Sequence, residues 1–207
     1  YRAGGRRFLA PRSLAELAAA ALAAPDARLV AGATDLGLSI TKALRDPGDL
    51  LWLGAVPELQ AITRRPDGGI VIGAAASLAD AFAALVALEP GWVEIARRLA
   101  GPPVRHTGTL GGNIANGSPI GDSMPGLIAA GARLVLRQGG TQRRLPLEDF
   151  YPGYRQTTLA PGEFIEPIEL PPAPPGRIFR CWKVSKRHDQ DISALCGAFA
   201  ITLADGR

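Results

Sequence analysis

The chain has 207 residues, of which 47% are hydrophobic and 20% charged, with a formal net charge of +4. No apolar run approaches the roughly 18 residues of a membrane span, and no secretory signal follows the N-terminus, so we expect a globular cytoplasmic protein. The scattered basic residues and few aromatic residues argue against a nucleic-acid partner. Two cysteines without metal-type spacing indicate reduced thiols and no metal site. Because the sequence does not begin with Met, we expect a fragment of a longer protein.

The N-terminal residues alternate between apolar runs and helix-forming runs, which predicts a small α/β unit over 7–60. Ser13 and Glu16 have the spacing of a capping box, and either Thr34 or Asp35 is the expected cap of the second helix. The predicted elements are a helix over 13–24, a strand over 28–31, a helix over 34–44 and a strand over 50–54.

The following residues predict a second α+β unit over 61–171. Its predicted elements are a strand over 68–77 that leads into a helix beginning at Ser77, helices over 92–100 and 123–132, a hairpin over 133–147 and a strand over 163–171. The proline-rich stretch 171–176 predicts a linker, since four of its residues are prolines. Two further strand-like runs follow it.

The stretch "LVAGATDLG" (29–37) places an apolar strand, a glycine turn and a helix in immediate succession. Unpaired N–H groups at such a turn, with the positive end of the helix dipole, suit a phosphate or diphosphate, and Thr34 adds a hydroxyl donor. Strand–glycine–helix junctions are also common where no ligand binds. The stretch matches neither the G-x-G-x-x-G fingerprint nor a Walker A motif, which disfavours a nicotinamide Rossmann domain and a P-loop ATPase.

The stretch "GTLGGNIANGSPIGD" (108–122) contains five glycines and no Lys, Arg, His or Cys. Glycines permit positive φ values and a close approach of the backbone to a flat ligand, while Thr109 and Asn113 supply neutral hydrogen bonds. Asp122 is placed either to cap the next helix or to accept a hydrogen bond from a ligand. The residues leave two interpretations open: one wall of a ligand site, or an irregular crossover whose polar groups satisfy their own turns.

A third motif, "KVSKRHDQDISALCGAF" (183–199), completes a set that points to one family. The three motifs, in this order and at similar separations, resemble those of the FAD-binding subunits of molybdenum hydroxylases, in particular the bacterial xanthine dehydrogenase small subunit. The resemblance implies an α+β fold with α/β elements, namely a two-lobed FAD-binding domain of the vanillyl-alcohol oxidase or PCMH type over 7–60 and 61–171. It also implies that 177–207 is the truncated start of a C-terminal α+β flavoprotein domain.

The resemblance further assigns FAD contacts residue by residue. It implies that backbone amides of the first turn hold the diphosphate, that Leu99 lines the cofactor site, that Ile165 packs on the flavin and that Lys183 lies near it. The implied contacts are Leu29, Val30, Ala31, Gly32, Ala33, Thr34, Asp35, Leu36, Leu99, Gly108, Thr109, Gly112, Asn113, Asp122, Ile165 and Lys183. No residue of the chain is expected to be catalytic, and His106 and His188 are expected to be surface or supporting groups.

One residue of the first turn departs from the family pattern. Ala33 stands where a second glycine is usual, so we expect either a negative φ or a modest left-handed cost there.

The function implied by the resemblance is electron transfer by an FAD-dependent oxidoreductase component. FAD would receive electrons from iron–sulfur clusters that drain a molybdenum site, and NAD⁺ would be the co-substrate that accepts them. The segment 184–192 would govern access of the acceptor, with Lys183 favouring negative charge on the flavin and Asp189 or Asp191 opposing it.

The partners implied are a molybdopterin-binding large subunit and an iron–sulfur domain, in a heteromeric complex. No [2Fe-2S] cysteine spacing occurs in this chain, so the [2Fe-2S] clusters and the molybdopterin would lie on other parts of that complex. The alternatives are the flavin subunit of a related hydroxylase, acting on carbon monoxide, nicotinate, an aldehyde or an aryl-CoA thioester, and a remnant that no longer binds FAD.

Overall fold

The computed structural model describes residues 1–203, and the N-terminal lobe is a four-stranded sheet with two helices. Its elements are β1 (Arg2–Ala3), β2 (Arg6–Leu9), α1 (Leu14–Ala23), β3 (Arg28–Val30), α2 (Thr34–Thr41) and β4 (Leu50–Trp52). The strands lie in the order β1-β2-β4-β3, with β2 and β3 parallel to β4 and with β1 antiparallel to β2. The predicted cap of α1 is confirmed, because the Glu16 N–H donates to Ser13 Oγ at 3.2 Å.

The second lobe is a five-stranded antiparallel sheet packed against five short helices. Its elements are β5 (Ile62–Arg64), β6 (Ile70–Gly73), α3 (Leu78–Leu88), α4 (Val93–Arg98), α5 (Pro102–Thr107), α6 (Leu110–Asn116), α7 (Ser123–Ala129), β7 (Arg133–Gln138), β8 (Thr141–Pro146) and β9 (Phe164–Leu170). The strand order is β5-β6-β9-β7-β8. The predicted β7–β8 hairpin is confirmed, and Ser77 caps α3 by accepting from the Asp80 N–H at 3.0 Å.

Two helices of this lobe were not predicted. The stretch that follows the predicted helix over 92–100 begins α5, in which Pro102 occupies the first position, where a missing N–H costs nothing. No helix was predicted within 108–122, yet the first half of this stretch forms α6.

The two lobes share buried side chains. Phe164 of β9 and Ala75, which follows β6, belong to the same apolar cluster as Leu17 of α1 and Leu51 of β4. Phe164, Leu17 and Leu51 are fully buried. This shared core holds the N-terminal lobe against the second sheet, at the end where its central strand β9 begins.

The last two strands form an antiparallel hairpin that packs on the second lobe. They are β10 (Arg177–Val184) and β11 (Leu195–Thr202). Phe179 and Cys181 enter the main core, and the Phe179 ring lies 4.9 Å from that of Trp92. Arg177 forms a bidentate ion pair with Glu89, at 2.6 and 3.1 Å, in which both side chains are nearly buried.

The sequence-based boundaries at 60, 171 and 177 stay predictions. Residues 204–207 of the predicted third unit lie outside the described residues. No helix of the described chain is both long enough and apolar enough to cross a membrane.

Candidate functional site

A cavity of about 910 Å³ lies between the two lobes. Its volume falls within the roughly 300–1,000 Å³ that small-molecule and cofactor sites usually have. Every residue for which the resemblance implied an FAD contact lines this cavity: Leu29 to Leu36, Leu99, Gly108, Thr109, Gly112, Asn113, Asp122, Ile165 and Lys183. The structure therefore brings the whole predicted set together, and the contacts themselves remain predictions.

The first turn joins β3 to α2, and several of its backbone donors are not used by the described part of the chain. Ala33 is the N-cap of α2, so the prediction that Thr34 or Asp35 caps the helix was wrong. Within residues 1–203, no acceptor is found for the N–H groups of residues 33–36, and the first main-chain bond of the helix is Gly37 N–H to Ala33 O at 2.7 Å. These donors and the positive end of α2 line the cavity and provide a place for an anionic group.

The backbone of the first turn adopts a left-handed conformation at Ala33. Its φ of 56° is the strained alternative foreseen for this residue. Gly32 has a different role, because a Cβ there would lie 1.9 Å from the Thr107 carbonyl oxygen and 2.8 Å from Gly108 Cα. Glycine at position 32 therefore allows the first turn to pack against the second stretch.

The second stretch contains α6, and the backbone donors at the start of this helix are used by the protein. Thr109 is the N-cap, and its hydroxyl accepts from the Gly112 N–H at 3.1 Å. The Leu110 and Gly111 N–H groups donate to the carbonyl oxygens of Ala76 and Ala74, at 3.0 and 2.9 Å. The start of α6 is thus anchored to the segment after β6 and offers few free amides to a ligand.

The glycine at 111 is needed for this anchoring. A Cβ at Gly111 would lie 2.5 Å from Ala74 Cβ and 2.6 Å from its carbonyl oxygen, whereas a Cβ at Gly112 would meet only Thr109 Oγ1, at 2.8 Å. At the other end of α6, the Tyr151 hydroxyl donates to the Ile114 carbonyl oxygen at 3.0 Å, and burial raises the pKa of Tyr151 well above its ordinary value.

Polar side chains connect the second stretch with its surroundings. The Asn116 side-chain amide donates to Asp35 Oδ2 at 3.2 Å, which ties the end of α6 to the start of α2. The Ser123 hydroxyl donates to Asn113 Oδ1. These contacts satisfy part of the neutral polar set inside the protein, in line with the crossover interpretation, although the same stretch also lines the cavity.

Asp122 ends the second stretch in a buried network. Its carboxylate accepts from Lys183 Nζ at 2.7 Å and from the Ser193 hydroxyl. Asp122 holds the N-cap position of α7, as one of its two expected roles required, but its side chain makes no capping hydrogen bond. The ammonium of Lys183 competes more strongly for this carboxylate than a neutral N–H does.

Lys183 lines the cavity with its positive charge paired to the carboxylate of Asp122. Both side chains of the ion pair with Asp122 are less than 10% exposed, and both residues line the cavity. Because the two charges cancel locally, the cavity wall is less positive here than a lysine alone would make it.

The two thiols lie behind this network. Cys181 is buried, Cys196 is half-buried, and the Cys196 thiol donates to the Asp122 main-chain oxygen at 3.5 Å. A hydrogen bond to Cys196, together with burial, raises the pKa of the Cys181 thiol, and accepting that bond lowers the pKa of Cys196.

The segment between β10 and β11 supplies a further wall of the cavity. Gln190, Asp191 and Ile192 line it, whereas Asp189 does not and its side chain is 79% exposed. The hydrogen bond that the Asp191 carboxylate accepts from the Arg187 N–H, at 2.8 Å, lowers the pKa of Asp191. Only one of the two aspartates predicted near the acceptor site therefore faces the cavity.

The cavity contains an unusual share of left-handed backbone. Among residues 1–203, five non-glycine residues have a positive φ, and all but Leu44 line the cavity: Ala33, Ala100, Arg155 and Gln190. Strained backbone of this kind concentrates at functional sites. Sequence reasoning missed Ala100 and Arg155 as lining residues and named Gln190 only as part of the segment 184–192, since no residue type among them signals a positive φ.

The two histidines are exposed, and neither lines the cavity. Among residues 1–203, no group of three or more His, Cys, Asp or Glu side chains is suited to holding a metal ion.

Comparison with known proteins matches this site to one family. Residues 4–173 match the family described as the FAD binding domain in molybdopterin dehydrogenase. The chain is 34% identical over 196 residues to the xanthine dehydrogenase/oxidase of Rattus norvegicus, covering 88% of this chain and 14% of that protein. It is 29% identical over 216 residues to the nicotinate hydroxylase hnxS of Emericella nidulans, covering 96% of this chain and 16% of that protein.

Solved structures give the same result for the fold. A reconstituted CO dehydrogenase from Oligotropha carboxidovorans superposes with a TM-score of 0.89 at 28% identity, covering 100% of this chain and 73% of that one. Quinoline 2-oxidoreductase from Pseudomonas putida 86 superposes with a TM-score of 0.84 at 27% identity, covering 100% and 72%. The predicted α+β FAD-binding fold is confirmed.

The chain belongs to the family of FAD-binding domains of molybdopterin dehydrogenases. The predicted membership of the molybdenum hydroxylase group, which includes xanthine dehydrogenase, is confirmed as well. The chain spans 14 to 16% of the length of the two curated relatives named above.

Proposed function

We propose that this chain binds FAD in the cavity between its lobes and serves as the flavin module of a xanthine dehydrogenase-type molybdenum hydroxylase. The observation that carries the proposal is the first turn, where residues 33–36 line the cavity and their N–H groups have no acceptor in the described part of the chain. Unpaired N–H groups at the start of a helix, together with the positive end of the helix dipole, favour an anionic group. The diphosphate of FAD is such a group.

The residues present fit the cofactor. The first turn would hold the diphosphate, and the wall formed by Gly108, Thr109 and Gly112 is flat enough for an extended molecule, since no side chain beyond Thr109 stands there. Leu99 and Ile165, both buried, provide apolar surface for a ring system. A site of this kind has many apolar residues and few polar ones that fix orientation.

The chemistry that FAD would supply when bound is to collect two electrons and pass them on as a hydride, which we propose connects one-electron iron–sulfur clusters of a partner domain with NAD⁺. The residues of this chain bind and orient the cofactor and set its surroundings. Lys183 is proposed to favour negative charge at the flavin, to the extent that its pairing with Asp122 allows. The segment of Gln190 to Ile192 is proposed to limit which acceptor reaches the ring.

The partners follow from the same proposal. We propose that the chain works in a heteromeric complex with an iron–sulfur domain and a molybdopterin-binding large subunit, in the cytoplasm. The partial coverage of the long relatives supports this, because the matched region is a small part of each.

A second candidate is the flavin subunit of a hydroxylase with another substrate. It is supported by similarities of 27 to 29% identity to a CO dehydrogenase, a quinoline 2-oxidoreductase and a nicotinate hydroxylase. Both candidates use the same FAD site.

FAD titration of the purified chain tests the proposal. We expect saturable binding, seen as the visible absorbance of oxidised flavin that stays with the protein through gel filtration, at one FAD per chain. A colourless protein that takes up no added FAD would contradict the proposal and would favour a remnant without cofactor. Steady-state reduction of NAD⁺ by the assembled complex, with xanthine or quinoline as substrate, then distinguishes the two candidates.

A further inference from the structure

The segment of residues 185–194 forms one wall of the cavity without helix or strand of its own. It connects β10 to β11, and the Ala194 N–H closes the hairpin by donating to the Val184 carbonyl oxygen at 2.8 Å. Most of its side chains are exposed, including that of Ile192, which also lines the cavity. A segment with so little buried surface needs specific contacts to keep one conformation.

Arg98, the last residue of α4, makes these contacts. Its side chain is 11% exposed, and Nη2 donates to Ser185 Oγ at 2.7 Å. Nη1 donates to the Lys183 main-chain oxygen, and Nε donates to the His188 main-chain oxygen at 3.3 Å. One guanidinium thus donates to three residues, namely Lys183 at the end of β10 and Ser185 and His188 in the segment. Its several donors in a rigid plane make such a set of bonds possible.

Glu94 orients this guanidinium from the same helix. Its carboxylate Oε1 accepts from Arg98 Nη1 at 3.0 Å, one turn earlier on α4. The chain after α4 also contacts the segment directly, since a Cβ at Gly101 would lie 3.2 Å from Gln190 Cδ. The segment is therefore held against the end of α4, while Ser193 fixes its far end to Asp122.

We propose that Arg98 is the positioning residue of this wall. By holding residues 183–188, it keeps Gln190, Asp191 and Ile192 against the cavity, and so limits how far solvent and an electron acceptor reach a bound flavin. The second part of this statement rests on the proposed function, whereas the holding of the segment does not depend on FAD.

Hydrogen exchange on the FAD-free chain tests the holding directly. Arg98→Met removes every donor but keeps much of the stem volume, and Arg97→Met is the matched control, because Arg97 is exposed and its side chain makes no hydrogen bond to the described residues. We expect the amides of 185–194 to exchange about tenfold faster in Arg98→Met, equivalent to about 1.4 kcal/mol. Arg97→Met should match the wild type.

Two further variants keep this test decisive. Ser185→Ala removes the acceptor of Arg98 Nη2 together with the bond that the Ser185 hydroxyl donates to the Arg187 main-chain oxygen, and it does not threaten folding. It should raise exchange in the same segment by about threefold, a smaller effect than in Arg98→Met because the bonds from Arg98 to the main-chain oxygens of Lys183 and His188 remain. Arg98→Lys keeps the charge but cannot reach three acceptors at once, so it should lie between the wild type and Arg98→Met. Unchanged exchange over 185–194 in Arg98→Met and Ser185→Ala, or an equal rise throughout the protein, would overturn the proposal.

The consequence for the cofactor is measured on the FAD-loaded chain. We expect the quenching of flavin fluorescence by iodide to rise at least threefold in Arg98→Met, with FAD affinity within about threefold of the wild type, because the residues that hold the diphosphate are untouched. Equal quenching in both proteins would overturn the effect on access. Failure of every variant and of the wild type to bind FAD would instead contradict the proposed function, and the exchange result would still decide the role of Arg98.

Discussion

The two turns of the cavity both contain glycine, but the protein uses the backbone N–H groups of only one of them. In the first, the N–H groups of residues 33–36 have no acceptor within the described chain, and α2 buries none of its residues. In the second, the donors at the start of α6 bond to Ala74, Ala76 and Thr109, and Gly111 is buried against Ala74. Glycine content alone therefore does not indicate an anion site; what favours one at the first turn is that its unpaired donors, at the positive end of a helix, line the cavity.

The largest effect on stability is expected at the buried ion pair of Lys183 with Asp122, which ends the second stretch. Lys183→Met should leave the buried Asp122 carboxylate without its cation and cost about 3–5 kcal/mol of unfolding free energy in urea. The flavin potential should also fall, by about 30 mV for each tenfold change in a two-electron equilibrium, because an uncompensated negative charge opposes reduction.

The double variant Asp122→Asn/Lys183→Met is the control for this prediction, since it removes both charges. It should recover most of the stability and of the potential. A single variant with unchanged potential would show that Lys183 has no influence on the cofactor.

Gly111→Ala tests whether the second turn serves protein packing. Its new Cβ would press on the backbone of Ala74, which cannot rotate away, so we expect a loss of about 3 kcal/mol in unfolding free energy. Gly112→Ala is the matched control, because its Cβ would meet only the Thr109 hydroxyl and should cost about 1 kcal/mol or less. Equal costs at both positions would contradict the packing role of Gly111.

Ala33→Asp tests whether the first turn serves an anion. Aspartate tolerates a left-handed backbone and adds negative charge beside the free N–H groups, so FAD should bind about 100-fold more weakly, or about 2.7 kcal/mol, at nearly unchanged stability. Ala33→Gly relieves the left-handed strain without adding charge and should leave affinity close to the wild type. If Ala33→Asp binds FAD with the affinity of the wild type, the first turn does not hold the diphosphate.

The smallest effect concerns pH and the third wall of the cavity. The pKa of Asp191 is lowered by hydrogen bonds from the Arg187 and Ile192 N–H groups. The stability that the ionised Asp191 contributes is therefore fully present above the ordinary pKa of 3.8, and it is lost as the pH falls through the lower pKa of the folded state. NMR titration should show the Arg187 amide moving with the Asp191 carboxyl, while the amides of 110–112 stay fixed. In Asp191→Asn the Arg187 amide should not titrate.

Local patterns in the sequence predicted much of the fold. The capping pairs at Ser13 and Ser77 mark true helix starts, and the β7–β8 hairpin follows its glycine turn. Helix α6 escaped prediction because glycines at 111 and 112 lower helix propensity, and the helix is stabilised by contacts with Ala74 and Ala76, far away in sequence.

The site was predicted in composition but not in its internal contacts. The motifs named the residues that line the cavity, yet the pairing of Asp122 with Lys183 joins positions 61 residues apart and leaves no local signal. The same holds for Arg98, which looks like one of many surface arginines until its acceptors are seen. Backbone strain at Ala100 and Gln190 likewise depends on tertiary packing.

Amide hydrogen exchange of the wild-type chain, resolved by NMR with and without FAD, tests the central claim most directly. Without FAD, the N–H groups of residues 33–36 should exchange nearly unprotected, while those of 110–112 should be protected. Saturation with FAD should slow exchange at 33–36 by at least about tenfold, corresponding to about 1.4 kcal/mol, and change 110–112 little. Exchange at 33–36 that is the same with and without bound FAD would contradict the assignment of this turn to the diphosphate.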